Sequence, residues 1–353
     1  PPHGRRERAL HFQRRIMGKP HAYALAFLGL LVAIGWFLAD RALDPERRAA
    51  AVESGARTEA VVEGPDGDAL VGGPVAPGRD STAPDSAIAA GDVVYTPEDV
   101  RIFRETMNWA RERRLDTLAL GDIIVRTGRR FVGNPYTPHT LELGDPERLV
   151  INLRELDCVT YVESVLALAR LIRDGGGDFD AYARELRRIR YREGEIDGYP
   201  SRLHYFSEWI HDNAELGLVR DVTAELGGRV DDEPIDFMST NADAYPSLVD
   251  HPGRVAEIRR IEERLSRRER AYIPEDRIGE VVRGIRDGDI IAATSSVEGL
   301  DVAHTGFAIW LDGRLHLMHA PLVGKSLEIS EEPLATRILG IGGQDGIMVA
   351  RPL

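Results

Sequence analysis

From residue 96 to the C-terminus the chain moves from one hydrophobic period to another. Up to about residue 175 apolar residues recur every three or four positions, the spacing of helices with a buried stripe. In "YTPEDVRIFRETMNWARERRL", Thr96-Pro97-Glu98-Asp99 predicts a helix start with proline in the first turn. A second start lies in "NLRELDCVTYVESVLALARLI", where apolar residues fall at 159, 162, 165, 166, 169 and 172. Asp157 is its expected N-cap, with Leu156 and Tyr161 as the hydrophobic staple around it and Thr160 leaving the capping box incomplete. Residues 180–275 are charged and read as mainly helical with loops, including "RLHYFSEWIHDN". From residue 284 the pattern changes to strands: "GDIIAAT", "HTGFAIWL", "RLHLMHA" and "GIMVARPL". Helices followed by strands predict an α+β domain with a mostly antiparallel sheet. No internal repeat is present.

The register of the last strands can be read directly. Asp312-Gly313 between two apolar runs is a two-residue hairpin signal. With that turn, 311 faces 314, 310 faces 315 and 306 faces 319. Directly opposed residues share a face, and so do residues two apart on one strand. His304 and His319 therefore share a face as diagonal neighbours, and His316 falls on the other. Gly306 and Ala308 between them are small, and the helix beginning at Cys158 is expected to lie against that face.

Before residue 96 the pattern is different. Residues 1–20 are strongly basic, and "AYALAFLGLLVAIGWFLA", residues 22–39, carries no charge. That run suffices for one membrane-spanning helix, and the basic flank places its N-terminal side in the cytoplasm. Residues 21–39 are read as a transmembrane anchor or a signal sequence, and "FLADRAL" is a poor cleavage site. Residues 40–95 are rich in Ala, Gly, Pro, Asp and Ser without periodicity and are read as a disordered tether. The folded domain is expected at 96–353, outside the cytoplasm, with 180–275 as an inserted region.

Composition narrows the chemistry. A net charge of −13 argues against nucleic acid as a partner. One cysteine in 353 residues excludes an intrachain disulfide and any multi-cysteine metal site. An exported protein with a single thiol at a helix start invites a nucleophilic reading, because the positive end of the helix dipole favours the thiolate and lowers its pKa. On that basis Cys158 is the expected nucleophile and is expected to react quickly with iodoacetamide near pH 6. His304 is the expected base, and His319 the group that orients it. The two histidines could also be zinc ligands, but no third ligand is evident, and neither metal nor organic cofactor is expected.

Taken together, "DCVTYVESVLAL", "GDIIA", "HTGFAIW" and "MHAP" resemble the NlpC-type papain-like cell-wall hydrolases. "NLRELDC", "RLHYFSEWI" and "YIPEDRI" resemble one branch of them, the N-acetylmuramoyl-L-alanine amidase-like proteins. The resemblance covers roughly 96–353. It implies a papain-like α+β core, with the cysteine-bearing helix packed on the sheet and a helical insertion. It implies cleavage, in the periplasm or cell envelope, of the peptidoglycan amide between N-acetylmuramic acid and L-alanine. The superfamily's "G-x-P-Y" segment falls on "GNPY" and makes Tyr136 an oxyanion-holding residue, although "TPHTLELGDPERLVIN" replaces the Trp-Gly-Gly that usually follows. Arg202, Tyr205 and Trp209 are expected either to touch sugar or peptide or, for the last two, to form one buried helix face. Two rival readings stand beside this one: an endopeptidase acting within the stem peptide, and a membrane-tethered, non-catalytic wall-binding protein.

Overall fold

The computed structural model describes residues 88–90, 93–322 and 324–353. The basic flank, the apolar run and most of the tether lie outside the described residues. Among those described, no helix is long and apolar enough to cross a membrane. The last residues assigned to the tether are folded: β1 (Ile88–Ala90) and β2 (Val93–Tyr95) pair antiparallel, and β2 pairs in parallel with β3 (Leu149–Val150).

The first predicted helix forms α1 (Pro97–Glu112). Its capping box is closed by Thr96 and Asp99, with the Thr96 amide 2.9 Å from the Asp99 carboxylate. The other oxygen of Asp99 accepts from the Leu153 amide at 2.8 Å. One buried carboxylate thus caps a helix and fixes the loop that leads to Cys158. After α2 (Leu120–Arg129) and β3 comes α3 (Cys158–Arg173). Asp157 caps it as expected, at 2.8 Å from the Thr160 amide. Contrary to expectation the capping box is complete, because the Thr160 hydroxyl accepts from the Asp157 amide at 2.9 Å. Nor is α3 buried on one face only. Tyr161, Val162, Val165, Leu166, Leu168 and Ala169 are all fully buried, because α2, α4 (Phe179–Arg190) and the sheet pack around it. The charge this encloses is paired: Arg190 meets Glu163 at 2.6 Å and also donates to the Val150 carbonyl. Removing either partner of such a pair costs about 3–5 kcal/mol.

The main sheet has eight strands among the described residues, in the order β10-β9-β8-β7-β11-β6-β5, with β4 also on β11, and every pairing is antiparallel. They are β4 (Val219–Asp221), β5 (Arg229–Asp231), β6 (Arg270–Pro274), β7 (Ile290–Ser295), β8 (Val302–Leu311), β9 (Arg314–His319), β10 (Glu328–Ile329) and β11 (Gln344–Pro352). The inserted region is therefore not wholly helical. It supplies α5 (Phe206–Glu215) and α6 (Pro252–Ser266), and also three short strands that extend the sheet. The mixed helix and antiparallel-sheet class read from the sequence holds.

The hairpin register is as predicted, with Leu311 opposite Arg314 and Phe307 opposite Met318. Asp312 and Gly313 both have positive φ, 48° and 74°, the geometry that a type I′ turn needs. The packing of the two faces is the reverse of the expectation. The Cys158 helix lies against Phe307, Ile309 and Met318, with Tyr161 edge-on to Phe307 at 5.7 Å. The small-residue face, with Ala308, Leu315 and Leu317, is covered instead by α7 (Leu334–Gly340) through Leu334 and Ile338. Gly306 is required there for another reason. A Cβ on it would lie 2.7 Å from the Met318 carbonyl and 2.8 Å from the His319 Cβ. Only glycine lets β9 come close enough to set His319 beside His304.

Candidate active site

Cys158 enters the site at the margin of the sheet. β8 runs past its last registered pair with β9, and the Thr305 amide is directed at the thiol. His304, the preceding residue, follows a bulge: Ala293 pairs with His304 but Thr294 with Val302, so Ala303 is the extra residue on β8. Bulges re-aim neighbouring side chains. The imidazole of His304 stands edge-on to His319, ring centres 4.8 Å apart, with Nε2 of the first 2.7 Å from Nδ1 of the second. Its Nδ1 is buried and has no hydrogen-bond partner among the described residues. His316, as predicted, looks the other way and bonds the Ser330 carbonyl at 2.8 Å.

Tyr136 is also brought to the thiol. The segment 133–136 zips onto 325–327, with the Tyr136 amide 3.0 Å from the Lys325 carbonyl, and bridges in parallel to Leu156, two residues before Cys158. Burial pushes its phenol well up from the usual tyrosine range, with further contributions from Cys158 and Asp157. The phenol therefore stays protonated and remains a hydrogen-bond donor.

The other three predicted residues are committed elsewhere. Arg202 is buried, pairs with Glu142 at 2.5 Å and lies 3.7 Å from Glu147, so it ties down the loop that precedes β3. The Tyr205 hydroxyl donates to Glu262 at 2.7 Å and accepts from the Met238 amide. Trp209 is fully buried and stacked on Phe206 at 4.8 Å. No exposed side chain is left at these positions to carry the expected contact with sugar or peptide. The sequence reading took Asp99 only as part of a helix start and missed the Thr305 amide, Glu328 and Arg337, which stand in no recognisable local motif.

The electrostatics correct one expectation. Cys158 is 1% exposed, and burial followed by the Asp157 carboxylate pushes its thiol up, while the amides of Thr305, Cys158 and Val159 pull the other way without prevailing. Burial, then the Arg337 charge, lowers His304 to about 3. His319 is held well below its ordinary value by burial, His304 and Arg337. At neutral pH Cys158 thus rests as the thiol and His304 as the neutral imidazole. Desolvation outweighs the helix terminus because both groups lose water entirely. Iodoacetamide is accordingly expected to label Cys158 more slowly than free cysteine at pH 6, with the rate climbing only towards alkaline pH. Faster labelling than free cysteine at pH 6 would contradict the buried, neutral thiol.

Among the described residues no cluster of His, Cys, Asp or Glu is arranged to hold a metal ion. A surface groove of about 490 Å³ lies at the opposite end of α3, beside Asp174, Arg184 and Arg188. Its mixed charges offer none of the chemistry gathered at Cys158.

Comparison with known proteins agrees with this architecture. A Bacteroides uniformis N-acetylmuramoyl-L-alanine amidase superposes with a TM-score of 0.63 at 38% identity, over 66% of this chain and 99% of that one. A Bacteroides fragilis structure described as a candidate xylanase does so with a TM-score of 0.61 at 40% identity, over 64% and 99%. The Legionella pneumophila protein LPG0564, at 18% identity and a TM-score of 0.52 over 72% of this chain and 95% of that one, shares the fold alone. No curated protein matches the chain. Residues 126–340, which contain Tyr136, Cys158, His304 and His319, match the family described as AmiA-like, N-acetylmuramoyl-L-alanine amidase-like. With that match over more than half its length, the chain belongs to the AmiA-like family.

Proposed function

We propose that the protein is a cysteine amidase of peptidoglycan, with a Cys158–His304–His319 triad in the papain-like, NlpC-type order. The observation that carries this reading is the state of His304. Its Nε2 is bonded to His319, while its buried Nδ1 has no partner and its backbone neighbour Thr305 directs an amide at the thiol. An unpartnered, neutral imidazole nitrogen is free to act as a general base, and this route requires Nδ1 of His304 to come within hydrogen-bond reach of the thiol during turnover.

The chemistry then follows. Nδ1 of His304 takes the thiol proton as the sulfur attacks the lactyl carbonyl of N-acetylmuramic acid. The developing oxyanion is met by the Cys158 amide and the Tyr136 hydroxyl, donors typically worth about 3 kcal/mol each. Collapse breaks the C–N bond, the imidazolium returns its proton to the L-alanine nitrogen, and a thioester remains on Cys158. Water, deprotonated by the same Nδ1, hydrolyses the thioester to the lactyl carboxylate and restores the thiol. His319 keeps the ring of His304 oriented throughout. Burial of Cys158 and His304 means that the site must open to admit substrate.

The site chemistry favours the amidase name over the xylanase name among the related structures. Glycoside hydrolysis generally needs paired carboxylates across the scissile bond, whereas the proposed reaction relies on a thiol and two imidazoles. Digestion of purified muropeptides tests the bond choice. Mass analysis is expected to show free glycan and an intact stem peptide beginning with L-alanine. Peptide fragments on an uncut glycan would establish the endopeptidase instead, and an unchanged substrate would favour a wall-binding role.

The basic and then apolar N-terminus supports a location outside the cytoplasm, in the periplasm or cell envelope, with membrane attachment through residues 21–39. A reporter that is active only after export, fused after residue 95, is expected to be active; a stable but inactive fusion would refute the export reading.

A further inference from the structure

We propose that Glu328 is a positioning residue for the two histidines, its carboxylate selecting the tautomer of His319 and through it that of His304. The proposal rests on the triad reading above and extends it by one member.

Glu328 is held in place from both sides. It is the cross-strand partner of His319 in the β10–β9 register, and directly opposed residues project to the same face. The residues just before it, 325–327, are zipped to the Tyr136 segment, with the Gly133 amide 2.8 Å from the Leu327 carbonyl and the Leu327 amide 2.8 Å from the Asn134 carbonyl. The result is a carboxylate oxygen 3.8 Å from Nε2 of His319, an atom that is buried and has no hydrogen-bond partner among the described residues. A small rotation of the half-exposed Glu328 side chain, or one bridging water, completes that contact.

A neutral imidazole has one N–H and one lone pair. Two arrangements therefore satisfy the His304–His319 bond. In the first, His304 Nε2–H donates to His319 Nδ1. His319 then carries its proton on Nε2, facing Glu328, and His304 has a bare Nδ1, the atom that the triad reading assigns to the thiol. In the second, His319 Nδ1–H donates to His304 Nε2. His319 then presents a lone pair to the carboxylate, and His304 carries its proton on Nδ1, where a base is needed. Glu328 stabilises the first arrangement and disfavours the second. The first is the one that can take the proton of Cys158. The remaining charges that face this pair are on and before α7. Arg337 acts on both histidines, and Glu328 and Glu332 act on Arg337 in turn. Glu328 thus also counters a cation that would otherwise favour a lone pair facing it.

The test is nitrogen-15 NMR of the imidazoles in Cys158→Ala, which leaves the pair in its resting state. Both His304 and His319 are expected to be protonated on Nε2, and adding Glu328→Ala is expected to convert them to a tautomer mixture. In the enzyme with its cysteine, Glu328→Ala should lower kcat about tenfold with KM within about twofold, as for an orienting group that touches no substrate. Glu328→Gln, whose amide oxygen accepts the same proton, should recover most of that loss. In a His319→Asn background Glu328→Ala should cost nothing further. Unchanged tautomers in Glu328→Ala would overturn the proposal, as would an equal loss in the His319→Asn background, which a purely structural role of β10 would give. Turnover surviving in Cys158→Ala would instead defeat the triad reading, and the tautomer spectra would still decide the role of Glu328.

Discussion

Cys158→Ala is expected to lower turnover on a purified muropeptide by about 10,000-fold or more, with the domain still folded. Loss of a covalent nucleophile typically costs that much, because the remaining members of a triad do almost nothing without it. The stability effect should be small by contrast. Only one sulfur atom is removed from a buried site, a change that costs on the order of 1 kcal/mol, and the helix start is held by the Asp157–Thr160 capping box and not by the thiol. Circular dichroism and thermal unfolding read the second half of the expectation. Retained turnover would show that the thiol is not the nucleophile. A domain that no longer folds would show that Cys158 is core.

The second large effect separates three histidines within one hairpin. His304→Asn is expected to lose about 1,000-fold or more, since asparagine cannot move a proton and general-base catalysis is worth about 100- to 10,000-fold. His319→Asn should lose only about 10- to 100-fold, because asparagine can still accept from His304 Nε2 and hold the ring. His316→Asn should stay within a few-fold of the unaltered enzyme. Its imidazole points away from His304 and His319 and bonds the Ser330 carbonyl, so the change costs about 1 kcal/mol of stability at most and leaves the histidine pair intact. Turnover for all three, with folding checked, is the measurement. Loss in His316→Asn with His319→Asn unaffected would mean that the register assigned to the third member is wrong.

What the sequence revealed of this site came from local rules with a fixed geometry. A two-residue turn sets the register of both its strands, so Asp312-Gly313 placed His304 beside His319 and turned His316 away. An aspartate before an apolar helical run marks a helix start, so Asp157 located Cys158. Tyr205 and Trp209, four apart, read as one buried helix face; both are buried, but Tyr205 precedes α5 and packs in a different cluster from Trp209. What could not be read depends on tertiary surroundings. A helix buried all round, like α3, has no distinctive stripe to say which face of the sheet it will cover. The short strands of the insertion expose residues such as Val230 and lack alternation, so they read as loop. The thiol pKa follows from full desolvation, which a helix N-terminus alone does not foretell. Glu328 lies in a strand of two residues, and nothing in its own neighbourhood marks it.

The central claim is that Cys158 becomes acylated by the lactyl carbonyl of the muramic acid. Rapid acid quenching during turnover, followed by intact-mass and peptide analysis, measures it directly. The account predicts a transient adduct on Cys158 with the mass of the glycan acyl group, absent in Cys158→Ala and accumulating relative to turnover when thioester hydrolysis is slowed. An adduct with the mass of a stem-peptide fragment, or turnover with no adduct on Cys158 at any time, would contradict it.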